Sequence, residues 1–372
     1  MVLVALVLAG CSREPRKPLA ESERIDNEVE ALTVHDMPAL KVRATNGDLP
    51  AAYKVALAYL RGKGVPEDEK EAARWLREAA DKGHALAQDK LGEAYSNGLG
   101  VDRDEAEAVR WYRKAAEQGL AESQVHLGYA LGAGEGVSQN EEEAAQWYRK
   151  AAEQGYAPGQ YNLGVMYHDG KGVKQDYLEA HRWYEKAATQ GDANAQNNLG
   201  VVYGKGLGRS RDEIEAAKWY RKAAEQGDST AQLNLAQYLE VGTGVLENDA
   251  EAVKWYTKAA EGGEAEAQLK LAELYDAGEH LPHNEAEAAR WYGRAANRNH
   301  SVAQRKLGLK YRDAQGVARD FAAAWMWLSL AAASGDPEAQ RELVPLQARI
   351  KPDEKADGQR MLEAWQARKA EE

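Results

Sequence analysis

The sequence predicts an all-α fold, a solenoid of stacked αα-hairpins, and three observations carry the prediction. Tryptophan recurs at Trp75, Trp111, Trp147, Trp183, Trp219, Trp255, Trp291 and Trp327, each 36 residues after the last. A period in that range marks a supersecondary unit that buries its apolar face by stacking on copies of itself. Around each tryptophan the apolar residues keep helical spacing. Ala108, Trp111, Tyr112, Ala115 and Ala116 fall at i, i+3, i+4, i+7 and i+8, a stripe along one helix face. A second stripe precedes the first, with Ala87, Leu91 and Tyr95 at i, i+4 and i+8, repeated as Ala195, Leu199 and Tyr203. Each unit therefore holds two helices, A and then B.

The boundaries of the two helices are also written in the repeat. Helix A opens on Asp48, Asp192, Asp228 and Asp336, with His84 and His300 at the same register; these are helix-start residues. Paired glycines such as Gly98 with Gly100 and Gly170 with Gly172 make the turn to helix B, and His280 replaces one of them. Helix B closes on Gly83, Gly119, Gly155, Gly191, Gly227, Gly263 and Gly335, and on Asn299 once. Glycine, then asparagine, is the preferred left-handed residue after a helix. Gly92, Gly128, Gly164, Gly200 and Gly308 stand inside helix A, where glycine costs about 1 kcal/mol relative to alanine. Close helix–helix approach is the expected reason, and Ala236 and Ala272 take the position in between. A glutamine holds one register throughout, from Gln88 to Gln340.

These residues, Ala-x-x-Gln-x-x-Leu-Gly-x-x-Tyr-x-x-Gly-x-Gly-Val followed by Ala-x-x-Trp-Tyr-x-Lys-Ala-Ala-x-x-Gly, resemble the Sel-one-like repeat. The clearest copies are Gln160 to Gly191 and Asn198 to Gly227, while Leu131 and Leu239 replace the tyrosine. That family is a branch of the tetratricopeptide superfamily with a slightly longer unit. The resemblance spans residues 48–335 as eight units of 36 residues. It implies a right-handed superhelical solenoid whose concave face binds partner proteins or peptides. The repeats hold no cysteine, unlike the disulfide-braced secreted branch, so no activity of that branch is carried over.

The same resemblance singles out Asn162, Asn198 and Asn234, which precede the helix A leucine in three consecutive units. The similar asparagine of tetratricopeptide domains faces the groove and hydrogen-bonds a bound peptide. An amide supplies both donor and acceptor, as an extended peptide backbone requires. The three are therefore candidate peptide-binding residues. Lys90, His126, Lys270 and Lys306 take the position elsewhere.

Both ends of the array read as caps. Residues 37–47 are a degenerate N-terminal capping helix, with Leu40 and Ala44 in register and Ala39 at the tryptophan position. Residues 336–372 supply C-terminal capping helices: a last helix A from Asp336 to Leu343, ended near Pro345, then a stripe of Met361, Leu362 and Trp365. Terminal units of a stack have to cover an open core face.

Cys11 is the sole cysteine, so no disulfide forms within the chain. The apolar run before it is too short to span a bilayer. Leu8-Ala9-Gly10-Cys11 resembles the lipobox of a bacterial lipoprotein. The resemblance implies that residues 1–10 are a signal peptide cleaved before a lipidated Cys11, and Ser12 favours sorting to the outer membrane, facing the periplasm. A signal peptide normally has a basic residue before its apolar run; none precedes this one, so the true start is expected to lie upstream. Residues 11–36 read as a tether, polar through Arg24 with Pro15 and Pro18, and with a short helix over Ile25–Leu32. A cytoplasmic protein is the alternative if the lipobox is not used.

Chemistry is sparse. A net charge of −12 argues against nucleic-acid binding, because phosphate backbones need a basic face. The glycine turns lack the Gly-Lys-Ser/Thr ending of a phosphate loop. His280 and His283 flank Leu281-Pro282 near Glu279 and Glu285, but a metal site needs a further placed ligand, and the segment reads as loop. No catalytic, cofactor or metal residue emerges. The expected function is a noncatalytic scaffold for protein or peptide partners, lipid-anchored in the bacterial envelope. The alternative is a structural subunit of a secretion or polysaccharide-export machine. An enzyme acting on cell-wall material finds no supporting residue.

Overall fold

The computed structural model describes residues 21–371, so Cys11 and the lipobox lie outside the described residues. The described residues form 20 helices and no strand, and the chain is an all-α solenoid of stacked hairpins. They divide into two compact units: one runs to Asn162 and includes Lys171–Val173, the other holds Leu163–Gly170 and everything from Lys174 onward. No helix among the described residues is long and apolar enough to cross a membrane.

The first unit begins inside the segment expected as a tether. Glu21–Glu30 is a helix, and its Ile25 and Val29, one turn apart, are fully buried in the core that also holds Val55, Ala56 and Leu76. Arg61 reaches Asp26 at 2.6 Å, and Lys54 pairs with Glu28. The short helix expected over Ile25–Leu32 thus starts four residues earlier, and the polar residues 21–24 hid that start. Met37–Thr45 is the short cap, and Met37, Leu40 and Ala44 are its buried residues.

Helices A and B of each repeat are 13 residues long, as in Ala85–Asn97 and Glu105–Glu117. Helix B starts on a side-chain cap: the Asp104 carboxylate accepts from the Glu107 amide at 2.9 Å, satisfying a donor that the first turn leaves open. The helix A starts behave as the sequence suggests, with Asp48 accepting from Ala51 and His84 Nδ1 from Ala87. Trp75 and Trp111 are 4% and 3% exposed. The ammonium of Lys114 lies 3.7 Å from the Trp111 ring centroid, a cation–π contact over the ring face.

Two glycine positions explain how repeats lock together. Gly100 has φ +69°, and a Cβ there would stand 2.0 Å from the Glu69 carbonyl oxygen; at Gly136 it would stand 2.3 Å from Glu105 backbone atoms. The turn of one repeat thus presses bare backbone against the first residue of the previous helix B. Inside helix A, a Cβ on Gly92 would meet the Tyr112 ring at 2.6 Å. The mid-helix glycine therefore makes room for a tyrosine ring rather than for a neighbouring backbone.

The recurring glutamine forms a ladder. Gln88 Nε2 donates to the Ala80 carbonyl at 3.0 Å, and Gln118 Nε2 donates to Gln88 Oε1 at 2.7 Å. Gln124 repeats both bonds with Ala116 and Gln154. Gln88 and Gln124 thus each join the helix B end behind them to the one ahead.

The second unit follows the same rules. A Cβ on Gly200 would lie 2.6 Å from the Tyr220 ring, and one on Gly244 (φ +65°) 2.2 Å from the Glu213 carbonyl oxygen. Gln226 donates to Gln196 at 2.7 Å. His280 and Ala314 sit at φ +57° and +60° where other turns have glycine, and Asn299 closes its helix at φ +65°. Trp219, Trp255, Trp291 and Trp327 are buried, whereas Trp183 is half-buried. The last helix A runs Pro337–Gln347 with Pro345 inside it, past the expected stop. A proline that late removes one amide bond from a turn that is already ending. Helix Pro352–Glu371 then covers the end of this unit; Trp365 is buried with its ring 6.2 Å from that of Trp327.

Candidate binding surface on helix A

The position before the helix A leucine is half-buried in every repeat from Lys90 to Lys306, because the next residue is core and the one before it leans toward the adjacent repeat. In the first unit, Asn162 Nδ2 donates to the Pro158 carbonyl of its own helix at 2.9 Å. In the second unit, Asn234 Nδ2 donates to Asn197 Oδ1 of the preceding repeat at 2.9 Å, and Asn197 is buried. Asn198 holds the equivalent place one repeat earlier and is half-buried. Asn198 and Asn234 thus share a register within one unit, and Asn162 belongs to the other. Cys11 lies outside the described residues.

Sequence reasoning missed what surrounds His126. Asp89, 1% exposed, accepts from Ser123 Oγ at 2.5 Å and from the His126 ring at 2.9 Å. Glu93 accepts from Lys90 Nζ at 2.6 and 2.8 Å. The ligating atoms of Asp89, Glu93 and His126 lie within 4.8 Å of one another, yet each carboxylate already has an internal donor. Burial works against a charged His126 ring, but the Asp89 hydrogen bond and the nearby carboxylates outweigh it, holding the pKa above the ordinary histidine value. Burial and then Asp89 push Glu122 upward. A cavity of about 350 Å³ opens beside this cluster, lined by Glu93, Tyr112, His126 and Tyr129, and Tyr129 is 58% exposed. The available signal was the 37-residue step from Asp89 to His126, one period plus one.

The histidines of the Leu281-Pro282 turn serve different neighbours. His283 Nδ1 donates to the Asp276 carbonyl at 2.8 Å, and His280 lies 3.4 Å from Asp249. They shape the turn separately. Other polar groups on helix A are matched across repeats, as Lys270 is to Glu240 at 2.6 Å.

Thirteen-residue helices paired around a glycine turn, stacked through tryptophan, alanine and glutamine, define an α-helical repeat protein. The model of the Sel1 repeat matches residues 49–84, 85–120, 121–156, 157–192, 193–228, 229–264, 265–300 and 301–336, and the chain belongs to that family. A Sel1 repeat protein from Oxalobacter formigenes is 32% identical over 83% of this chain and 90% of that one, with a TM-score of 0.65. A protective antigen present in uropathogenic Escherichia coli strains, described as displaying an SLR fold, is 28% identical over 88% of this chain and 94% of that one, with a TM-score of 0.57. No curated protein matches the chain. Proteins of this repeat family are generally protein-interaction scaffolds.

Proposed function

We propose that the chain is a noncatalytic scaffold that captures protein or peptide partners along helix A and is held to the bacterial envelope through a lipid on Cys11. The observation that carries the first part is the polar register before the core leucine. Asn198 and Asn234 sit half-buried at one place on successive helices, and Asn234 is held there by its bond to Asn197. A partner backbone laid across them would exchange donors and acceptors with these amides, and half-buried side chains lose little entropy on binding.

A photo-reactive residue placed at Asn198 in cells is expected to give a discrete protein adduct, and one at the helix B position Lys254 none. Asn198→Ala combined with Asn234→Ala should then weaken that partner about tenfold, the effect of losing roughly 1.4 kcal/mol. Equal adducts from both positions, or unchanged affinity, would remove helix A from the interface.

The anchoring rests on the Leu8-Ala9-Gly10-Cys11 sequence. One acyl chain binds a membrane only marginally, so several on one residue are needed for stable attachment. Mass spectrometry of the mature N-terminal peptide from bacterial membranes should show a diacylglyceryl-modified Cys11, absent in a Cys11→Ser variant that becomes soluble. An unlipidated, intact N-terminus on soluble protein would make this a cytoplasmic scaffold.

A further inference from the structure

The cavity beside His126 carries acidic and aromatic side chains and no permanent cation. It lies within the first unit, where the helices Ala85–Asn97, Glu105–Glu117 and Ala121–Ala133 meet. Three carboxylates line it, from Glu93, Glu105 and Glu135, and among the described residues no lysine or arginine does. Two of the three are answered nearby. Glu93 accepts from Lys90 Nζ at 2.6 and 2.8 Å. Glu105 accepts from Arg103 at 2.6 and 2.9 Å and from Ser96 at 3.0 Å. Glu135 is exposed, and among the described residues it has no cationic partner. Two helices finish beside the cavity and one starts there, which leaves about half a negative charge more.

The aromatic side is as distinctive. Tyr129 is the one exposed aromatic residue among those described. Other repeats carry Glu93, Val165, Val201, Gln237 and Glu273 at its register, so the ring belongs to this repeat alone. The Tyr129 hydroxyl oxygen lies 3.4 Å from Glu135 Oε1, which sets the ring beside the carboxylate that has no cation. Tyr112 lies deeper, 8% exposed, with its ring centroid 4.9 Å from that of His126. An aromatic face next to an open carboxylate attracts a positive group twice over, through the ring quadrupole and through charge.

We propose that this cavity receives a cationic side chain, lysine or arginine, from a protein partner. Glu135 answers the charge and the Tyr129 ring flanks it, while Val109 and Ala130 offer an apolar wall to the methylene stem. The same groups repel an acidic side chain. His126 holds the register of Asn162, Asn198 and Asn234, so the cavity opens on helix A, and its occupant rests on the reading of helix A as the partner-binding surface. The cavity itself is probed with small cations and no partner, so it can fail while adducts at Asn198 stand, and the reverse.

The test is an NMR titration of the full chain with n-butylammonium and n-propylguanidinium, the side chains of lysine and arginine, and with neutral butan-1-ol. At least one of the two cations should shift the His126 and Tyr129 signals with a dissociation constant of millimolar order. Butan-1-ol should bind about threefold more weakly or worse. Tyr129→Leu and Glu135→Gln change exposed residues, so both should keep the wild-type melting temperature, and each should lose about threefold in cation affinity. No shift with either cation, equal affinity for butan-1-ol, or full cation affinity in both variants would each overturn the assignment.

Discussion

Gly244→Ala is expected to destabilise the second unit by about 3 kcal/mol, while Gly227→Ala costs about 1–2 kcal/mol. Both glycines have positive φ, +65° and +100°, so both substitutions carry the strain of a left-handed residue with a side chain. They differ in what surrounds them. The added methyl at Gly244 would stand 2.2 Å from the Glu213 carbonyl oxygen, whereas nothing lies within 4 Å at Gly227. The neighbour at Gly244 is helix backbone, which cannot rotate away, so the two repeats must part. Urea unfolding followed by tryptophan fluorescence measures the difference. Equal losses at the two glycines would mean that the turn does not key one repeat onto the next.

Trp111→Ala is expected to cost about 3–5 kcal/mol, the range for emptying a large aromatic site in a packed core. Trp183→Ala should cost clearly less. Sequence periodicity makes the eight tryptophans equivalent, but Trp111 is 3% exposed while Trp183 is only half-buried. Lysine covers both rings, at 3.7 Å for Lys114 and 3.8 Å for Lys186, so the cation is not what separates them. Matched losses in the two variants would show that burial does not set the cost of these rings.

The period, the two helices of each unit and the turn between them were legible because each obeys a local rule. Helical spacing, a left-handed glycine and a capping aspartate all act within a few residues. Features that depend on pairing across repeats were visible only as unexplained regularities. The glutamine register is plain in the sequence, but the bond from Gln118 to Gln88 spans 30 residues and needs the stack to exist. Likewise the mid-helix glycine announces close packing without naming its occupant, a tyrosine such as Tyr112. The helix expected over Ile25–Leu32 runs Glu21–Glu30 instead, and its start was hidden because the first turn is polar and only Ile25 and Val29 are buried. On the candidate surface, the asparagines were found by register, but the bonds that hold Asn162 to Pro158 and Asn234 to Asn197 were not. The Asp89–His126 bond combines one period with one extra residue, a spacing that no single-helix pattern contains.

The bonds between adjacent repeats recur with fixed separations: 30 residues from Arg113 to Glu143, from Arg221 to Glu251 and from Gln226 to Gln196. A gene segment encoding one whole repeat, copied or lost in frame, would therefore bring together two surfaces that already fit. Most point changes in a core break something, whereas this change of a whole unit does not. The number of repeats becomes a quantity that recombination can adjust, and with it how much surface the protein offers.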